Sequence, residues 1–167
     1  MDYKFLQAIQ IYFQGEKIEA LVFILPIGLL SLVFGAWLLT DNANSFTRGV
    51  AIPFILMGFL MVIIGGIVGY RTSEQVASIE KSFQIDPSDA IKIEIERMRK
   101  VNNAWPIYLA IWGVMGVVGL GLRFLTPSDF LQGLGISLVF FAGVALLVDG
   151  FAERRTQPYM AVMESLK

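Results

Sequence analysis

Four stretches without a single Asp, Glu, Lys or Arg, at 20–39, 49–70, 104–122 and 130–148, run through this 167-residue chain. Each is close to the ~20 residues an α-helix needs to cross the hydrocarbon core of a bilayer. A spanning segment must satisfy its own backbone hydrogen bonds, which leaves only helices or a closed barrel. The runs are continuous rather than alternating, so they read as helices. The sequence therefore predicts an all-α integral membrane protein with four transmembrane helices, at 18–40, 47–70, 104–125 and 129–152. A composition of 56% apolar and 16% charged residues agrees with that class.

Orientation follows from the basic residues. If both termini share a side with the loop 71–103, that side holds eleven of the thirteen Lys and Arg residues, and the other holds Arg48 and Arg123. Cytoplasmic loops collect Lys and Arg. Both termini and the loop are thus expected in the cytoplasm, in a bacterial inner membrane. The N-terminus does not read as a signal peptide, because it has no basic leader and Trp37-Leu38-Leu39 makes a poor cleavage site.

Outside the spans, residues 1–17 read as an amphipathic helix with Phe5, Leu6, Ile9, Tyr12 and Phe13 on one stripe, ended by Gly15 and resting at the membrane surface. The loop 71–103 reads as a cytoplasmic helical hairpin. Asp86 can cap its second helix, Pro87 suits the first turn, and Asp89 favours the positive end of the dipole. Glu96 and Lys100 are spaced to pair at i,i+4. Asn102, Asn103 and Pro106 should end that helix before the third span, and 153–167 should form a cytoplasmic C-terminal helix. Trp37, Tyr70, Trp105 and Tyr108 read as interfacial anchors.

An offset of 84 residues aligns the halves without a gap. It matches Gly35 with Gly119, Phe46 with Phe130, Gly49 with Gly133, Gly66 with Gly150, Arg71 with Arg155 and Thr72 with Thr156. Two spans per unit keep both units the same way up, which implies a two-fold parallel repeat.

With no Cys and no His, disulfides, thiol chemistry and the usual zinc ligand sets drop out. The span centres carry no ionisable group, the mark of most proton-coupled transporters. No serine has a neighbouring base, and no phosphate loop or nucleotide fingerprint is present. The loop 71–103 has six basic and six acidic residues, which argues against a nucleic-acid arm. The chain is thus expected to be non-enzymatic and free of cofactor and metal.

Candidate helix-packing or partner-binding positions are Gly35, Gly65, Gly69, Gly116 and Gly119, small residues that let helices approach closely. Candidate ionic positions are Asp149, Arg71 and Arg155, with Arg154 and Arg155 near enough in sequence to neutralise Asp149. Pro26 and Pro53 should kink their spans. The expected partners are membrane lipids and another membrane or membrane-inserting protein, with association of a second copy left open. The function that fits is an immunity protein against a membrane-targeting toxin or an accessory subunit of a membrane complex; the alternative is a small oligomeric channel or transporter.

Topology is directly checkable. Reporter fusions after Asn44 and Ser128 are expected to register the outer side, and fusions after Ser88 and Lys167 the cytoplasm. A swapped pair would contradict the four-span reading.

Overall fold

A computed structural model describes residues 2–40 and 44–166. Among the described residues there is no strand. Helix α1 (Asp2–Ile18) runs through a π-helical stretch (Glu19–Ile24) into α2 (Leu25–Trp37), followed by α3 (Ser45–Ile85), α4 (Pro87–Leu125) and α5 (Asp129–Ser165). Four continuous helices result, each long and apolar enough to cross a membrane.

Two expected breaks are absent: Gly15 does not end α1, and Pro106 does not end α4. α5 carries the fourth apolar run into the C-terminal segment without interruption. Proline removes one donor and crowds the carbonyl four residues back. For Pro106 that carbonyl belongs to Asn102, at the end of the charge-free run, where water can bond it. Pro26 opens α2 directly after the π stretch. In that stretch Leu25 N–H donates to Ala20 O, five residues back rather than four. The wider turn gives the proline ring room. It also moves the buried stripe from Phe5, Ile9, Phe13 and Ala20 onto Gly28, Ser31 and Gly35.

α3 and α4 meet at one extended residue, Asp86, whose side chain accepts from Asp89 N–H at 3.1 Å. The sequence-predicted cap is therefore in place. Asn44 caps α3 by accepting from Thr47 N–H, and Ser128 caps α5 by accepting from Leu131 N–H.

The apolar segments pack as two pairs, α2 on α3 and α4 on α5, joined through α3 and α5. At the join, Gly49 lies against the backbone of Phe130 and Leu134, while Gly133 lies against Phe46 and Val50. Ser137 Oγ donates across this crossing to Val50 O at 3.0 Å. Deeper in the bundle, the Phe54 ring packs on Phe34, Phe140 and Phe141 at centroid distances of 4.9, 5.1 and 4.9 Å.

At the end holding both termini, α1 joins the far ends of α3, α4 and α5 in a head. Its core is Phe5, Ile9, Phe13, Phe83, Ile91, Ile95, Met98, Tyr159 and Met163. α1 is thus not an anchor lying flat on the membrane. Its apolar stripe is the centre of the head, with Phe5 and Ile9 fully buried and Phe5 stacked on Phe83 at 4.1 Å.

The crossing tolerates no side chain. Gly49→Ala and Gly133→Ala would each drive a methyl into backbone, and each is expected to destabilise the folded protein by about 1–3 kcal/mol in detergent denaturation. Gly143, with open space around its missing Cβ, is the control: Gly143→Ala should be neutral or slightly stabilising.

Candidate functional site

The polar chemistry gathers where the spans meet the head. Arg155 of α5 donates through Nη2 to Glu19 Oε2 at 2.6 Å, across 136 residues of sequence. The pair is largely buried, with side-chain exposures of 19% and 11%. Gly15 makes this possible: a Cβ there would stand 2.6 Å from Arg155 Cδ. Its role is therefore a slot for the arginine rather than a helix stop. The guanidinium also lies 5.6 Å from the Tyr12 ring centroid. Glu19 Oε1 and Arg155 Nε are both buried and find no hydrogen-bond partner among the described residues, so the pair is joined at one point instead of as a fork.

Arg71, the residue matched to Arg155 by the 84-residue offset, reaches Glu16 at 3.6 Å in a pair whose arginine is exposed and whose glutamate is half-buried. Such a contact contributes little, typically under ~1 kcal/mol. Asp149 is not neutralised by Arg154 or Arg155. Its Oδ2 accepts instead from Trp112 Nε1 at 2.6 Å, which ties α5 to α4. Arg155 is taken by Glu19, and adjacent residues on a helix point in different directions.

A second network lies inside the head. Glu94 is 3% exposed. Its Oε1 accepts from Tyr159 Oη and Arg97 Nη2, both at 2.6 Å, and its Oε2 accepts from Arg97 Nε at 2.8 Å. Arg97 lies over the Phe13 ring at 5.3 Å, and Tyr159 stacks on Tyr12 at 4.4 Å. Burial and the Glu94 charge push the Tyr159 phenol well above its ordinary value. Burial, reinforced by Glu16, pushes Tyr12 up as well. A buried carboxylate bonded by both a guanidinium and a phenol fixes the relative rotation of α4 and α5. The helical pair on α4 is thus Glu94–Arg97 at i,i+3; Glu96 and Lys100 are exposed without an ion pair between them.

The candidate glycines face inward. Gly35 meets Ala51 and Ile55, and Gly119 meets Gly135 and Val139. Gly65 meets Ala20 and Leu25, and Gly69 meets Leu21. Gly116 is looser, with only Ala142 near at 3.5 Å. Four of the five therefore build the bundle's own helix contacts, which the small-xxx-small spacing alone does not distinguish from contacts to a partner. Of the aromatic anchors, Trp37, Tyr70 and Tyr108 are exposed, whereas Trp105 is buried.

Sequence reasoning passed over Glu94, Tyr159, Trp112 and the partner of Glu19. For Glu94 there was a signal: it falls on the stripe of Ile91, Ile95 and Met98, an acid among core positions with a base three residues on. The other three are set by neighbours far away in sequence.

Compared with protein-family models, curated proteins and solved structures, the chain matches none.

Removing one half of the buried pair tests its weight. Arg155→Met should destabilise by about 3–5 kcal/mol by stranding Glu19. Adding Glu19→Gln should recover part of that loss, as read by thermal unfolding of the wild type and the two variants in detergent.

Proposed function

We propose that this protein is a non-enzymatic membrane protein that binds another membrane protein side by side in the bilayer. The reading includes an immunity protein that holds the inserting helices of a toxin closed and an accessory subunit of a larger complex. The observation that carries it is the uneven covering of the spans. In the most apolar window of α4, 6% of residues are buried, against 39% in α3 and 28% in the other two. Its outer face presents Ile107, Ile111, Val114 and Val117, with an open groove between Pro106, Ala110 and Val114. A helix laid into that groove would meet small and β-branched side chains, the surface on which spans associate without a hydrophobic driving force.

The same proposal places both termini and a 71–103 helical hairpin in the cytoplasm of a bacterium, with the bundle in its inner membrane. Its support is the distribution of eleven basic residues against two. It also makes the bundle a parallel two-fold repeat. What supports this is that contacts recur at the 84-residue offset: Gly35 with Ala51 and Ile55 against Gly119 with Gly135 and Val139, and Gly49 with Phe130 against Gly133 with Phe46. Thr72 and Thr156 each bond back to the carbonyl four residues earlier, those of Val68 and Ala152, which are themselves 84 apart.

Photo-crosslinking in the native host is the test. A reactive side chain at Ala110 or Val114 is expected to capture a second membrane polypeptide, and one at Phe23 or Leu30 on the first span to capture far less. Ala110→Trp, which fills the groove, should reduce that capture by about ten-fold, the effect of losing ~1.4 kcal/mol of packing. Equal capture from both spans, or solute flux by the purified protein in liposomes, would displace this reading in favour of a channel or transporter.

A further inference from the structure

The geometry points to a binding site for one anionic phospholipid on α5, with the phosphate on Arg154 and an acyl chain in the groove below it. The groove, about 190 Å³, is lined by Leu146, Leu147, Gly150, Phe151 and Arg154. Leu147 and Phe151 are exposed, and nothing lies within 4 Å of where a Gly150 Cβ would stand. The two adjacent arginines have different fates. Arg155 is neutralised by Glu19. Arg154 is exposed, and among the described residues no carboxylate lies within ion-pair distance of it.

Depth decides the ligand. The charge-free run ends at Val148, and six further residues carry the backbone about 9 Å beyond it. The headgroup layer beyond the hydrocarbon core is roughly 5–7 Å thick on each side. Side chains on a helix lean toward its N-terminus. α5 leaves the membrane in the N-to-C direction, so Arg154 leans back over Gly150 into the phosphate layer. Gly150 is the residue one turn behind it, and its missing side chain leaves the apolar channel open directly beneath the guanidinium. A phosphate with a net negative headgroup satisfies that cation, and the lipid tail covers Leu147 and Phe151. A zwitterionic lipid offers the same tail but cancels the charge with its ammonium.

Native mass spectrometry of the whole protein, released from micelles holding phosphatidylglycerol and phosphatidylcholine with identical chains, tests the site. The wild type is expected to retain one phosphatidylglycerol in preference to phosphatidylcholine. Arg154→Gln should weaken that preference by about five-fold, the size of one interfacial basic contact. Gly150→Leu should reduce retention of the lipid by filling the channel; its position is open, so the fold is not put at risk. Lys92→Gln, which removes the same charge from the head, should change neither. Equal retention of the two lipids, or phosphatidylglycerol retention unchanged in either the Arg154 or the Gly150 variant, overturns the proposal. So does a retained polypeptide, a second copy included, in place of the lipid.

Discussion

Each of the four helices must serve two solvents along one uninterrupted rod, and the rest of the architecture follows from that. Through the apolar runs, large side chains such as Leu30, Val33, Leu56 and Val117 point outward, while Gly28, Gly35, Gly119, Ser31 and Ser137 face a neighbouring helix. Past those runs the arrangement inverts. Phe5, Ile9, Phe13, Met98 and Met163 turn inward, and charged side chains such as Lys92, Glu96, Arg99 and Lys100 turn out, with Glu94 the buried exception held by Arg97 and Tyr159. The inversion falls where Glu19 meets Arg155 and Trp112 meets Asp149. The π stretch that begins at Glu19 lets a single helix present one face to the head and a slightly rotated face to the bundle.

The two halves of the rod hold together by different forces. In the head, water is available as the alternative, so burying aromatic and aliphatic side chains is itself favourable. The glutamate–arginine–tyrosine network then selects one rotation among the many that would bury similar area. In the apolar half, lipid is as apolar as leucine, and association depends on close contact and a few polar bonds. The glycine-to-backbone crossing of α3 and α5, with Ser137 bonded across it, meets that requirement. Chemistry and packing are accordingly separated in space: charge near the head, small residues within the spans.

The covering of the helices is uneven. α3 packs on both α2 and α5, whereas α4 is held mainly by α5 and leaves its far side uncovered. In the head, α1 runs through the centre of the packed cluster.

The sequence by itself determined that four helices are long and apolar enough to cross a membrane, because charge-free length is a one-dimensional property tied to bilayer thickness. It also determined the joint at Asp86-Pro87, because capping and proline geometry act over three or four residues. The contacts that recur between Gly35, Gly119, Gly49 and Gly133 could be paired with one another from the 84-residue offset, but not assigned to particular neighbours. Only the tertiary structure decided that Gly15 holds open a slot for Arg155 instead of ending a helix. It also decided that Asp149 takes an indole, that Glu94 is buried, and that the amphipathic N-terminus is a core element. Each of these depends on a group tens of residues away or more, and an apolar stripe does not say whether its cover is lipid or protein. Both remove it from water equally well, and only the positions of the other helices distinguish them.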